Sequence, residues 1–323
     1  MKAIKYVNMA AIALAMTACS NDNEIDNWNG EIRLSSGVSV QTRATHSLDE
    51  NLKDGETVRV WVDDAKTPAM TVTTENLYEN NSLTVGTTGA LSGGTAMYFP
   101  QTGNSVNIYA LHTNATLTDN SFTGELTHTV AKDQKSTNTT AGDGYQGADL
   151  AFAKSTGVAR TSDAVELKFQ HLLSKIEVVL VQGYGSPTID KVEILNTKLQ
   201  AKFTPSKTAE FSVAATGEIT DKNPIEIDKD LTSVTDASGN DESKKALNEA
   251  IIVPQTLSAS TEFIRITTTD GGILTYPLSA QKEFSTATKY RYTITANLTG
   301  LTVTSSVSPW TPGTGGTGNA VMK

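Results

Sequence analysis

The chain has 323 residues, a formal net charge of −9 at pH 7, 19% charged and 6% aromatic residues, and a single cysteine. A lone cysteine excludes an intramolecular disulfide and any site built on paired thiolates, and an acidic balance without a basic cluster excludes nucleic acid as an expected partner. The length allows two domains with cores of their own, and abundant Thr, Ser, Asn and Gly without long helix-period segments point to an all-β chain of extracellular type.

Residues 1–18 open with Lys2 and Lys5, continue through an apolar run at 9–16 and end on Thr17 and Ala18. This is the pattern of a secretory signal peptide, too short to span a bilayer as a helix. Ending directly on Cys19, it resembles a bacterial lipoprotein signal, although Met16 stands where Leu, Val or Ile is usual. The resemblance implies that Cys19 becomes the lipidated first residue of the mature chain, held to the outer membrane by buried methylenes rather than by a span. Residues 20–30 (SNDNEIDNWNG) have no periodicity and read as a polar linker. Asp22, Glu24 and Asp26 are similar to the acidic export tags of surface lipoproteins in Bacteroides-type bacteria, and are equally the charges of any solvated linker.

Residues 31–45 (EIRLSSGVSVQTRAT) alternate, with Ile32, Leu34, Ser36, Val38 and Val40 on one parity and Arg33, Ser35, Ser39 and Gln41 on the other. Arg43 and Ala44 follow at once. An apolar strand tethered through a protease-sensitive arginine is removable, and its removal would leave a hydrophobic groove with unpaired backbone on both sides. The same residues also read as an ordinary first strand followed by a loop arginine.

Further on, Val58, Val60 and Val62 are expected to face a core, with Arg59 and Trp61 outward. Two strands are expected around Pro100 and Gly103, at 97–99 and at 105–112, where Val106, Ile108 and Ala110 share a face. The Gly- and Thr-rich stretch 83–94 supplies turns, and 131–147, carrying Asp133, Gln134 and Asp143, reads as a surface excursion before the apolar 148–153. A second domain is expected from residue 158. There Val165, Leu167 and Phe169 lie on one parity and Ile176, Val178 and Leu180 on the other, so a bulge or tight corner is expected within 171–174. Short strands at 191–195, 209–213, 250–254, 263–268 and 272–278, punctuated by Gly, Asp, Asn and Pro, suggest a sandwich. Residues 243–249 read as one or two helical turns. Tyr290, Tyr292, Ile294, Ala296 and Leu298 form one face; after Gly300, Leu301, Val303, Ser305 and Val307 form another, and the tail 311–323 reads as flexible.

Chemistry-bearing residues are sparse. His46, His112, His128 and His171 have no carboxylate or second histidine at ligand spacing and read as surface or strand histidines, His171 being placed to bond backbone freed by the parity change. Asp221, Glu226, Asp228 and Asp230 around Pro224 match no EF-hand and read as a solvated acidic loop. The glycines at 313–318 lack the helix and Lys-Ser/Thr pair of a phosphate loop, and Trp28, Trp61 and Trp310 are scattered. No paired acid, base or nucleophile is present, so no enzyme, catalytic residue, cofactor or metal is expected.

The segments AMYFPQTGNSVNIYALH, AKDQ, ADLAFA, LKFQHLLSKIEVVL, IIVPQTL and KYRYTITANLTGLTVTSSVSPW occur in the order and approximate spacing of the fimbrillin family, which the chain resembles over nearly its whole length. These are the Mfa-like subunits of the type V pili of Gram-negative anaerobes. The resemblance implies two transthyretin-like β-sandwich domains, at 31–157 and 158–310, and export as a lipoprotein. It also implies trimming by an arginine-specific or trypsin-like protease, here between Arg43 and Ala44. The removed strand, with Ile32, Leu34, Val38 and Val40, would be replaced by a C-terminal strand of another pilin subunit, a pattern that Leu301, Val303 and Val307 carry. Each subunit then gives and receives one strand, which builds an open head-to-tail fibre. Two readings stay open: such a pilus subunit, stalk or tip, supporting adhesion, and a non-polymerising surface lipoprotein that binds a glycan or host protein and keeps residues 19–43. If 301–307 completes its own domain, the subunit would accept a strand yet give none.

Overall fold

Alternation of Val, Ile and Leu with polar residues produces strands throughout the chain. A computed structural model describes residues 28–38, 52–65, 76–117, 122, 124–138, 143–207, 213–219, 224–232, 248–297, 300–309 and 316–319. Cys19, Val40, Arg43, Ala44, His46, Asp221 and Trp310 lie outside the described residues.

In the N-terminal half the elements are β1 (Leu34–Val38), β2 (Thr57–Ala65), β3 (Asn76–Val85), β4 (Ala90–Ser92), β5 (Ser105–His112), β6 (Leu126–Thr129), the single turn α1 (Gly144–Gly147), β7 (Ala151–Val158) and β8 (Val165–His171). Seven of these strands close a barrel in the order β1-β4-β3-β2-β5-β7-β8. The expected separate sheets of an N-terminal sandwich are thus one closed sheet, because β1 pairs on both sides. Period-2 burial fills it: Val58, Val60 and Val62 from β2, Ile108 and Ala110 from β5, and Leu167 and Phe169 from β8 point into one core with Ile32 and Leu34.

Several expectations need correction. Trp61 does not face solvent but packs edge-on against Phe122, ring centroids 4.7 Å apart, because the outer face of β2 is covered by a second core. Part of the stretch 83–94 is strand, the end of β3 and all of β4, with the turn at Gly86 to Gly89. At 97–99 there is no strand but a lone bridge between Glu31 and Tyr98. Gln134 is no surface residue: its amide donates to the Ile251 carbonyl and accepts from the Ile251 N–H. The expected start of a second domain at 158 falls inside the barrel, since β8 pairs with β7 and β1.

The change of parity is a corner between sheets. The Leu172 N–H donates to the Leu150 carbonyl, and β9 (Ser174–Gln182) then enters a new sheet. The remaining strands are β10 (Ile189–Ile194), β11 (Lys198–Phe203), β12 (Val213–Ile219), β13 (Ile225–Ile227), β14 (Leu231–Thr232), β15 (Asn248–Ile252), β16 (Gln255–Leu257), β17 (Glu262–Thr268), β18 (Ile273–Pro277), β19 (Lys282–Phe284), β20 (Thr288–Asn297), β21 (Gly300–Pro309) and β22 (Gly316–Asn319). Asn248 and Glu249, expected in a helical turn, begin β15 because they pair with β9. One sheet runs β14-β9-β20-β21-β22, with β15 also on β9, and another runs β13-β10-β17-β18. Their inner faces meet through Tyr276 and Phe263 on one side and Tyr292 on the other, at 5.6 and 5.5 Å between centroids. β6 leaves the barrel half to pair with β11, which ties the two halves together.

β9 is buried on both faces. Its even residues Ile176, Val178 and Leu180 join the core, and its odd residues Lys175 and Glu177 form an ion network with no exposure. Glu177 contacts Arg291 at 2.8 Å, Lys289 at 3.2 Å and Lys175 at 3.8 Å, and Lys175 contacts Glu249 at 2.8 Å. Burial pushes the Glu177 carboxyl up, but Lys175, Arg291 and Lys289 outweigh it and hold it below the usual carboxylate range.

Candidate functional site

Ile32, Leu34 and Ser36 alternate with Arg33 and Ser35, and the structure keeps that parity: the first three are buried and Arg33 is exposed. β1 lies parallel to β8, from Leu34 opposite Val165 to Val38 opposite Phe169. On its other edge it is antiparallel to β4, with Leu34 opposite Leu91 and Ser35 opposite Ala90. The Val165 N–H donates to the Arg33 carbonyl at 2.8 Å, and the Ser36 N–H donates to the Gly89 carbonyl at 2.7 Å. Toward the start of the strand, the Ile32 N–H donates to the Met97 carbonyl and the Phe99 N–H to the Gly30 carbonyl. Ile32 and Leu34 are 5% and 3% exposed, and burying such a side chain contributes about 1.5–3 kcal/mol each.

Without β1 the order becomes β4-β3-β2-β5-β7-β8, an open sheet with two edges facing the vacated slot. Such a slot binds an extended strand: backbone groups on both edges pair with it, and alternate apolar side chains enter the core.

One contact in this region lies outside the alternating pattern. Trp28, in the stretch read as linker, donates its indole N–H to the Glu31 carbonyl at 2.9 Å and packs edge-on to Phe99 at 6.1 Å. The Arg160 guanidinium lies 4.8 Å above the Trp28 ring. Gly30 has φ +90, and a Cβ there would lie within 2.8 Å of that guanidinium. The sequence signal was a lone tryptophan in an otherwise acidic tether.

The second exchange candidate sits differently. β21 pairs antiparallel with β20 along its whole length, with Leu301 opposite Ala296, Val303 opposite Ile294 and Val307 opposite Tyr290. β22 covers its other edge from Thr302 to Ser305, and Val307 packs partly buried against the second core.

Three histidines isolated in sequence come together where the barrel meets β6 and α1. His171 donates Nδ1–H to the Asp149 carboxylate at 2.7 Å, not to backbone freed by a bulge. His128 donates Nε2–H to the Ala148 carbonyl at 2.9 Å, so its Nδ1 accepts from the Thr113 hydroxyl at 3.0 Å. His112 bridges the Thr57 and Gln146 carbonyls. Burial pushes His128 down to about 4. Burial pushes Asp149 up, but His171 with His112 and His128 holds it below the usual carboxylate range. These groups fasten strands to one another; among the described residues no group of three His, Cys, Asp or Glu has metal-binding geometry. In the acidic stretch, Glu226 accepts from Lys135 at 2.8 Å and Asp228 from the Ser136 N–H at about 3 Å, both protein contacts.

A closed sheet that includes an N-terminal strand, followed by face-to-face sheets that end in a long hairpin, defines a β-rich protein. The sequence profile of the fimbrillin-like family matches residues 42–310, and the chain belongs to that family. No curated protein matches the chain. Among solved structures, a candidate cell adhesion protein from Bacteroides uniformis ATCC 8492 is 21% identical, with 87% of this chain and 100% of that chain covered and a TM-score of 0.55. Another from Bacteroides ovatus ATCC 8483 is 15% identical, with 86% and 96% covered and a TM-score of 0.59. These two likenesses establish a shared fold.

Proposed function

We propose that this protein is a subunit of a type V pilus that supports adhesion at the cell surface. It is exported as an outer-membrane lipoprotein on Cys19, cut between Arg43 and Ala44 by an arginine-specific or trypsin-like protease, and polymerised when a strand of another copy takes the place of β1. The observation that carries this reading is the position of β1: a short strand near the start of the chain, it pairs on both edges within the closed barrel, and Leu34 and the preceding Ile32 are buried. The match to the family begins at residue 42, next to Arg43 and beyond β1, which also fits a discarded strand. In this reading the chain comprises an N-terminal barrel domain and a C-terminal domain of facing sheets that meet at the corner after His171, and its work is association rather than catalysis.

The alternation of Leu301, Val303 and Val307 makes β21 the donor. One observation favours a second form of the same role. Because β21 is fully paired with β20 and flanked by β22, a copy that keeps this arrangement receives a strand but gives none, as a terminal subunit does. Arg43→Ala tests the common part: the precursor is expected to fold and stay membrane-bound while fibres disappear, and normal fibres from this variant overturn the reading. Cleaved protein incubated alone separates the two forms. SDS-resistant ladders identify a stalk subunit, and persistent monomers a terminal one.

A further inference from the structure

Resting on that reading, β1 is held unevenly. Near Leu34 and Ser35 it is paired with both β4 and β8, and just before this Ile32 bonds Met97 and Gly30 bonds Phe99. Among the described residues, the backbone at Gly37 and Val38 has β8 as its one sheet neighbour, since the register with β4 ends at Ser35 and the last bond to that side is from Ser36 to Gly89. The weak end is five residues in sequence from Arg43. The strong end is capped by Trp28, which sits beneath the Arg160 guanidinium and against the edge of Phe99, with Gly30 leaving the room that the guanidinium occupies. Arg160 belongs to the connection between β7 and β8, so the cap grips a barrel element remote in sequence from β1.

We propose that Trp28, clasped by Arg160 and Phe99, is a latch that keeps the severed strand in the barrel after cleavage at Arg43, so that exchange starts at Val38 and ends with the release of Trp28. The cut alone does not empty the slot. The barrel core is then never left open to water, because an incoming strand pairs first with the exposed backbone beside Phe169 and displaces β1 toward the latch. This device guards a cleaved subunit against aggregation through its open edges until another copy arrives.

The test uses the purified precursor with a site-specific protease sequence inserted after Arg43, cut and then mixed with a synthetic peptide of residues 301–310. Release of the fragment ending at Arg43 is followed by size exclusion and mass spectrometry. Trp28→Ala is expected to release it about ten- to fiftyfold faster than the parent, from the loss of both an aromatic edge contact and a cation–π contact, and Arg160→Gln about two- to fivefold faster, from the loss of the cation–π contact alone. In the cut parent without peptide, hydrogen exchange is expected to reach the amides of 37–38 before those of 32–34. Equal release rates in parent and variants, or the reverse order of exchange, overturn the latch while leaving strand replacement standing. No release by peptide in the parent or either variant overturns strand replacement itself, and the latch with it.

Discussion

β1 and β21 carry the same period-2 pattern but hold opposite positions in the molecule. β1 finds its partners far along the chain, at Leu91 and at Val165 to Phe169, whereas β21 folds back on its sequence neighbour β20 over ten register pairs. Taking β1 away opens a closed sheet at two edges. Taking β21 away leaves the pairing of β9 with β20 intact, and β20 becomes an edge. The same pattern thus occurs in two topological settings, and in the proposed exchange these settings decide which strand is the plug and which the donor. A non-local strand is the plug, because removing it severs no hairpin; a terminal hairpin arm is the natural donor.

The comparison is sharpened most by perturbing the sheet that carries β21. Glu177→Ala leaves buried Lys175 and Arg291, with half-buried Lys289, around an empty site and is expected to cost about 3–5 kcal/mol in urea unfolding, without loosening β1. Leu34→Ala is expected to cost about 2–4 kcal/mol in the precursor. The same substitution is expected to cost nothing in cleaved protein that has taken up a donor strand, since Leu34 has then left; a persistent cost in that form breaks the comparison.

The joint between barrel and sheets titrates. His128 is held neutral down to about 4 in the fold, while the unfolded chain takes up its proton near 6.5. The unfolded state therefore binds more protons between these values, and stability falls as pH drops through that window. The expected loss is about 2 kcal/mol between pH 7 and pH 5, measured as a shift in urea midpoint that flattens in His128→Gln. Asp149 adds a further loss at lower pH, as its depressed carboxyl becomes protonated. Last, Glu166 and Lys168 on β8 approach only to 3.9 Å with exposed side chains. Lys168→Ala is expected to change stability by less than about 0.5 kcal/mol, even though β8 borders the plug.

Where one face of a strand meets a core and the other is largely open, alternation suffices: β1, β8, β18 and β20 are legible, as is the corner after His171. It fails where both faces are covered. The local pattern points Trp61 outward and leaves Lys175 and Glu177 unmarked, because nothing local announces that a second core lies over β2 or that charges on β9 face charges on β15 and β20. β3 escapes the pattern because Asn76–Val85 is largely polar, and β6 because it is four residues long and its partner lies far along the chain. The histidine and Asp149 joint draws its members from residues 112, 128, 149 and 171, a proximity created by the pairing of β5, β7 and β8 and by the contacts of His128 on β6 with Ala148 and Thr113. Of the candidate site, the plug strand was readable from its pattern; the Trp28 clasp was not, since Arg160 reaches it from the far side of the barrel sequence.

The central claim is that β1 is a removable plug. The N-terminus of this protein, determined by mass spectrometry on material sheared from the surface of producing cells, tests it most directly. The account predicts a terminus at Ala44 carried by SDS-resistant oligomers. A lipidated Cys19 as the sole terminus, found only on membrane-bound monomers, contradicts it.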